Sequence, residues 1–172
     1  MARGDDEGTG RVTSHLDRRP QLFARRGKSI VAAPQEDVDV AGRYRDCTDK
    51  GAVIDGRRLT ILARKRAYQR GEQIRVVHVV ETTRPGDVLY VAGPKPVQGE
   101  YVDGGLKTPL PAADADPLVP LDYDGPTIAS PAVDYNYDVT TYVFAKPGVH
   151  EISWRLGDLA SNTLTIEVTD AA

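Results

Sequence analysis

One run of nine residues restricts the fold of this chain more than any other. Residues 73–81 read QIRVVHVVE, and their four valines and one isoleucine favour extended backbone. Alternation along a strand puts Ile74, Val76, His78 and Val80 on one face and Arg75, Val77, Val79 and Glu81 on the other. Because the first face is apolar except for the histidine, we predict the central strand of a half-buried sheet.

Seven further segments have the composition of strands, and turn signals separate them. They are KSIVAA at 28–33, RRLTILARKRAY at 57–68, DVLYVAG at 87–93, PVQGEYVDGG at 96–105, VTTYVFA at 139–145, VHEISWRL at 149–156 and TLTIEV at 163–168. The second of these also contains helix-favouring residues, and we prefer the strand. The polar stretch between residues 34 and 56 carries no predicted element and ends in the turn signal Asp55-Gly56.

The last three of these segments are regularly spaced and give the clearest pattern. Ile152, Trp154 and Leu156 share one face of the middle segment. Leu164, Ile166 and Val168 share one face of the last segment. We therefore predict a β-meander, in which three consecutive strands pair and bury one face.

The closing run YVFAKPGVHEISWRLGDLASNTLTIEV, residues 142–168, resembles the final strands of bacterial immunoglobulin-like and fibronectin-like sandwich domains. RGEQIRVVHVVE, residues 70–81, is similar to an early strand of the same domains. The resemblance implies an all-β, immunoglobulin-like antiparallel β-sandwich over residues 28–172 with an extended N-terminal arm. It implies no activity, because the same scaffold carries many functions.

The arm comprises residues 1–27, MARGDDEGTGRVTSHLDRRPQLFARRG, and has little apolar periodicity. Leu22 and Phe23 are its apolar anchor. Its cations nearest that anchor are Arg18, Arg19, Arg25 and Arg26. We predict that these six residues contact a neighbouring subunit.

Charge is distributed unevenly along the 172 residues. Residues 1–70 carry 16 Lys and Arg against 10 Asp and Glu, a net of +6, whereas residues 71–172 carry 6 against 15, a net of −9. A basic half joined to an acidic half suggests that neighbouring copies attract one another head to tail, or that the arm lies on an acidic surface. The alternative is that both charged regions are simply solvated faces. Cys47 is the only cysteine, so no internal disulfide forms, and we expect a reducing compartment.

Residues 103–138 hold six of the twelve prolines, and no Lys or Arg stands between Lys107 and Lys146. We predict one long Pro/Asp-rich loop here, and loops of this length are often functional. Its tyrosines stand beside carboxylates, a composition typical of adaptable binding surfaces. The predicted binding residues are Asp122, Tyr123, Asp124, Asp134, Tyr135, Tyr137 and Asp138. Alternatively, the tyrosines of DYNYDVTTYVF are strand residues packing on the sheet, and Tyr123 is the least constrained tyrosine.

Four acidic residues are candidates for calcium ligands, because calcium takes about six to eight oxygen atoms. They are Asp114, Asp116, Asp122 and Asp124. Their spacing in DADPLVPLDYDG does not match an EF-hand, and prolines interrupt it, so a solvated acidic loop is the preferred interpretation. We therefore predict no metal site and no cofactor.

Known catalytic motifs are absent from the sequence: it has no HExxH, CxxC, Gly-x-Ser-x-Gly, Walker loop or GxGxxG. His15 lies in the arm, and we expect His78 and His150 to be buried or strand-end histidines. Cys47 stands in the electropositive context RYRDCTDKG, and with a nearby histidine it would form a nucleophile and base. A cysteine without a catalytic role is the preferred interpretation. We predict no catalytic residues.

These observations favour a non-enzymatic protein–protein interaction or structural module, as a subunit or decorating protein of a larger bacterial or phage assembly. We expect it in the cytoplasm or in a virion, with a protein partner, either this chain itself or a larger assembly. The alternative is a small enzyme or a ligand- or carbohydrate-binding protein with a pocket at the 103–138 loop, in which His78, His150, Tyr123 and the aspartates are the candidate groups. No segment has the roughly 20 apolar residues of a membrane span or the apolar core of a signal peptide. Thin aromatic content beside the basic runs argues against nucleic acid.

Overall fold

The computed structural model describes residues 14–120 and 123–171 and is built mainly from strands. Within these residues the helical elements are a short 3-10 turn at His15–Asp17 and helix α1 at Gln35–Gly42. The strands are β1 Phe23–Arg26, β2 Ser29–Ala32, β3 Arg57–Ala63, β4 Ala67–Gln69, β5 Gln73–Thr82, β6 Val88–Tyr90, β7 Glu100–Val102, β8 Gly105–Leu106, β9 Thr127–Ala129, β10 Ala132–Asp134, β11 Thr140–Val143, β12 Gly148–Leu156, β13 Leu159–Ala160 and β14 Leu164–Thr169. The predicted all-β class is confirmed, and the immunoglobulin-like connectivity stays a prediction. No helix in the described ranges has the length and apolar character needed to cross a membrane.

Two sheets form the body of the domain. In the first, called the β5 sheet, β5 pairs antiparallel with β3 along one edge and with β10 and β11 along the other. In the second, called the β12 sheet, the strand order is β4-β14-β12-β7-β8, with β4 parallel to β14 and the short β13 paired to β12. Two further antiparallel pairs are β1 with β2 and β6 with β9.

The main hydrophobic core lies between these two sheets. The ring of Trp154 meets His78 and Tyr137 edge-on, with ring centroids 5.0 Å and 5.2 Å away. Its Nε1 donates to the carbonyl of Gln98 at 2.8 Å, so the polar group of the indole is satisfied. The predicted apolar faces of β12 and β14 are confirmed, because all six residues are buried: Ile152, Trp154, Leu156, Leu164, Ile166 and Val168.

A second hydrophobic core covers the other face of the β5 sheet. Its buried members come from the arm, from α1 and its C-terminal end, and from the sheet with the residue after β10: Leu22, Val40, Ala41, Tyr44, Leu62, Val77, Val79 and Tyr135. Strand β5 is therefore buried on both faces, and even Glu81 at its end is buried. The predicted half-buried sheet is wrong, because α1 and the arm cover the face that alternation assigned to solvent.

Helix α1 lies in the stretch for which no element was predicted. Its Asp37, Val40 and Ala41 are buried against the β5 sheet. Arg75 holds Asp37 through two hydrogen bonds, Nε to Oδ1 at 2.9 Å and Nη2 to Oδ2 at 2.7 Å. A helix of eight residues is too short to be stable alone, so these tertiary contacts decide its formation.

Strand β11 does not belong to a C-terminal meander. It pairs with β5, whereas β12 pairs with β14 and β7. The chain therefore crosses from one sheet to the other between β11 and β12. The predicted three-stranded meander is wrong, because alternation indicates which face a strand buries and not which strand it pairs with.

The segment 103–138 is not one continuous loop, since β8, β9 and β10 lie within it. Strand β9 pairs with β6, and β10 pairs with the end of β5. Each of these strands has only two or three residues, and prolines stand between them. Alternation over so few residues leaves no detectable pattern, which explains why the sequence indicated a loop.

The described part of the arm, residues 14–27, lies on the domain. Its strand β1 forms a hairpin with β2, and the N–H of Ala33 donates to the carbonyl of Leu22 at 3.1 Å. Leu22 is 4% exposed in the second core. This part of the arm is therefore folded against its own chain, and residues 1–13 lie outside the described residues. A contact of the arm with a neighbouring subunit stays a prediction.

Replacing the buried arm leucine tests this packing. Leu22→Ala is expected to lower the free energy of unfolding by about 2–5 kcal/mol, because it leaves a cavity in the second core. The matched control, Leu110→Ala, removes the same atoms from a side chain that is 61% exposed and should change stability by less than about 0.5 kcal/mol. Urea unfolding followed by tryptophan fluorescence measures both. Equal stability of the two variants would contradict a folded arm.

Candidate binding groove

A groove with a volume of about 780 Å³ lies between the arm and the edge of the β5 sheet. Its arm wall consists of His15, Arg18, Arg19, Gln21, Phe23 and Ile30. Its sheet wall consists of residues 91–93, Pro126, Ile128 and residues 132–136. The first wall comes from the N-terminal arm and β2, and the second comes mainly from the segment predicted to be a functional loop.

Several contacts attach the arm wall to the domain, among them an ion pair of Asp17 with Arg45. Nε2 of His15 lies 2.9 Å from Oε1 of Glu81. Leu22 is buried in the second core. In β1, Nη2 of Arg25 donates to the carbonyl of Pro94 at 3.0 Å. These contacts fix the arm wall relative to the sheet wall, so the groove exists before any partner binds.

Glu81 is the buried group on which the arm wall depends. Besides His15, the hydroxyl of Tyr44 donates to its carboxylate, and Nε of Arg58 lies 3.2 Å from Oε2. Burial raises the pKa of Glu81, but the hydrogen bonds from Tyr44 and His15 and the charge of Arg58 outweigh burial and hold the pKa below its usual value of 4.5. Glu81 is therefore a buried carboxylate that is charged at neutral pH.

The sheet wall is positioned by Tyr123. Its hydroxyl accepts a hydrogen bond from the N–H of Ala92 at 2.8 Å and donates to the carbonyl of Pro126. Its ring meets Tyr90 of β6 edge-on at 5.1 Å. Tyr123, which the sequence indicated as the least constrained tyrosine, therefore joins the two chain segments that form the sheet wall.

The polar groups of the sheet wall surround Asp134. Nζ of Lys95 lies 2.7 Å from Oδ2 of Asp134, and the N–H of Asn136 donates to Oδ1 at 2.9 Å. Burial raises the pKa of Asp134 despite the opposing effect of Lys95. Asn136 donates through Nδ2 to the carbonyl of Val91 at 2.7 Å. Its Oδ1 is buried without a hydrogen-bond partner in the described part of the chain.

The six predicted arm residues separate into three groups. Arg18, Arg19 and Phe23 line the groove. Leu22 lies in the second core, and Arg25 connects β1 to Pro94. Arg26 is exposed at the end of β1 and is not part of the lining.

The predicted binding residues of the 103–138 segment also lie in different places, and only some of them line the groove. Asp134 and Tyr135 line the groove, whereas Tyr123 supports it from behind. Tyr137 is buried in the main core beside Trp154, as the packing alternative describes. The N–H of Asp138 donates to the carbonyl of Lys95 at 2.8 Å, and Asp124 is exposed. Asp122 lies outside the described residues.

The three described calcium candidates, Asp114, Asp116 and Asp124, do not converge, and Asp122 lies outside the described residues. Oδ2 of Asp116 is 2.7 Å from Nη1 of Arg57, and its Oδ1 accepts from the N–H of Leu118 at 3.0 Å. Asp114 and Asp124 are exposed. Across residues 14–120 and 123–171, no three His, Cys, Asp or Glu side chains gather in a way that would hold a metal ion.

The histidines and the cysteine lie apart from one another. His78 is buried in the main core, where its Nε2 contacts Glu100, and Tyr142 donates to the same carboxylate. His150 contacts Asp103 through Nδ1 at 2.7 Å and stacks on Phe144 at 3.9 Å between ring centroids. Cys47 packs at the border of the second core. Neither His78 nor His150 lines the groove, and the Sγ of Cys47 donates to the carbonyl of Asp49 at 3.4 Å.

Sequence reasoning missed Glu81 and Asn136. Glu81 was visible as the carboxylate of β5, but alternation assigned it to a solvated face. Asn136 stands between Tyr135 and Tyr137, and nothing in that pattern distinguishes an orphaned amide oxygen from an ordinary turn residue. Both roles arise from contacts between segments distant in the sequence.

No protein-family model matches this chain, and no curated protein or solved structure is significantly similar to it.

Removing the charge of Glu81 tests the attachment of the arm wall. Glu81→Gln is expected to lower the free energy of unfolding at pH 7 by about 2–4 kcal/mol, because the buried partners lose their carboxylate. The folded-state pKa of Glu81 is lowered, so its contribution is present above about pH 4.5 and is lost as the pH falls through the folded pKa. The difference between wild type and variant should therefore shrink below pH 4.5.

The matched control is Glu167→Gln, which removes an exposed carboxylate of β14. Urea titrations between pH 3 and 7 measure all three proteins. A gap between wild type and Glu81→Gln that stays constant over this range would contradict the assigned role of the charge.

Proposed function

We propose that this chain is a non-enzymatic protein-binding module, a subunit or decorating protein of a larger assembly, and that its groove receives a segment of a partner chain. One observation carries the proposal: the groove combines exposed apolar side chains with arginines between two walls that the fold holds in place. Aromatic residues and arginine are enriched in protein interfaces, and large exposed apolar groups in a concave surface mark interaction sites.

The apolar part of the arm wall is arranged for contact. Phe23 is 38% exposed and Ile30 is 54% exposed. In the β1–β2 hairpin Phe23 pairs with Ala32 and Ile30 pairs with Arg25, so the two apolar side chains lie on the same face of the hairpin. Both line the groove. They form the apolar strip of the arm wall, which a partner would cover.

Two titratable groups of the groove, His15 and Asp134, are engaged with partners in the domain. His15 contacts Glu81, and Asp134 contacts Lys95. General acid–base catalysis needs a group that reaches a substrate and exchanges a proton. These internal pairs support binding over catalysis as the role of the groove.

A second candidate function is the binding of a small molecule. The groove volume of about 780 Å³ lies within the range of roughly 300–1,000 Å³ that is typical of small-molecule sites. The lining combines apolar side chains with Arg18 and Arg19, and arginine pairs well with carboxylate ligands. This candidate corresponds to the expected pocket at the 103–138 segment, although without His78, His150 or Tyr123 in its lining.

Light scattering after size exclusion, over a range of concentrations, tests the proposal. We expect the wild type to exceed the monomer mass of 18.7 kDa at high concentration. The double variant Phe23→Ser/Ile30→Ser should remain a monomer; its melting temperature is expected to fall because both side chains are partly covered, and circular dichroism checks that it is folded. The control Val143→Ser/Val149→Ser removes two exposed valines outside the groove and should associate like the wild type.

A wild type that remains at 18.7 kDa at every concentration would contradict assembly through the groove. The Phe23→Ser/Ile30→Ser variant then separates the two candidate functions. Small carboxylic acids that raise the melting temperature of the wild type and not of this variant would favour the small-molecule site.

A further inference from the structure

The groove presents positive charge to whatever enters it. Arg18 and Arg19 are exposed in the arm wall. Among the described lining residues Asp134 is the one carboxylate, and Lys95 lies 2.7 Å from it. Because Lys95 neutralises Asp134, Arg18 and Arg19 leave the groove with a net positive charge. A bound molecule that complements this charge carries carboxylates.

The groove also has an apolar surface for a guest. Phe23 and Ile30 form the apolar strip of the arm wall. A guest that pairs carboxylates with the arginines and covers this strip combines acidic and apolar side chains. An acidic polypeptide segment that carries an apolar residue has this composition.

The chain itself displays a segment of this composition. Residues 110–116 read LPAADAD. Leu110 is 61% exposed, Asp114 is exposed, and no Lys or Arg stands between Lys107 and Lys146. Leu110 therefore complements the apolar strip of Phe23 and Ile30, and the carboxylate of Asp114 complements Arg18 and Arg19.

We propose that the groove of one copy binds residues 110–116 of a second copy, with Leu110 on the apolar strip and Asp114 beside Arg18 and Arg19. The inference rests on the proposed function and names its partner. The net charge of +6 in residues 1–70 and −9 in residues 71–172 favours the same head-to-tail contact. Because groove and segment are different surfaces, the interface is heterologous, and copies add into chains or rings.

Two one-sided variants test the proposal. Arg18→Glu/Arg19→Glu disables the groove and leaves the segment, whereas Leu110→Ser/Asp114→Lys disables the segment and leaves the groove. Each alone is expected to weaken self-association at least tenfold. An equimolar mixture should restore a complex of twice the monomer mass and no larger, because each copy then has one working surface. Light scattering measures the masses, and circular dichroism checks that both variants are folded.

The control Arg26→Glu/Lys28→Glu reverses two exposed cations of the same hairpin outside the lining, and it should associate like the wild type. A segment variant that associates normally, while Phe23→Ser/Ile30→Ser stays monomeric, would overturn this inference and leave the proposed function standing. Two monomeric variants whose mixture also stays monomeric would overturn the head-to-tail arrangement. A wild type that is monomeric at every concentration would overturn both proposals.

Discussion

Strand β5 is buried on both faces, and the remaining structure depends on how its polar residues are satisfied. His78 points into the main core, where its Nε2 contacts Glu100 of β7 and Tyr142 of β11 donates to the same carboxylate, while its Nδ1 has no hydrogen-bond partner among the described residues. Glu81 lies on the opposite face and is held by Tyr44, His15 and Arg58. A buried charge without partners costs several kcal/mol, so each of these residues requires contacts from distant segments. The strand thereby determines where the arm lies.

The groove is a consequence of that arrangement. Its arm wall is fixed by the contact of His15 with Glu81 and by the burial of Leu22. Its sheet wall is fixed by the hydrogen bonds of Tyr123. Both walls are in place without a guest, and a preorganised site loses little conformational freedom on binding. The exposed Phe23, Ile30 and arginines are therefore held where a partner would meet them.

Sequence patterns predicted individual strands better than they predicted which elements pair or pack together. Alternation identified β5, β12 and β14 and the buried faces of the last two, because apolar side chains recur every second residue. It did not identify the partner of β11 or the short helix α1, which tertiary contacts stabilise. Arg18, Arg19 and Asp134 were among the residues recognised as candidate contacts. Their convergence in one groove depends on Glu81 and Leu22, whose partners are remote in the sequence.

Hydrogen exchange of the full chain, followed by mass spectrometry, tests most directly whether the arm forms one wall of the groove. Peptides covering residues 22–33 report on the β1–β2 hairpin, and peptides covering residues 73–82 report on β5. Our account predicts that amides of the hairpin exchange at least about 100-fold more slowly than those of an unstructured chain, because they are hydrogen-bonded in a cooperative unit. Exchange of the hairpin at the unstructured rate, with β5 protected, would show that the arm is not a wall and would contradict the groove.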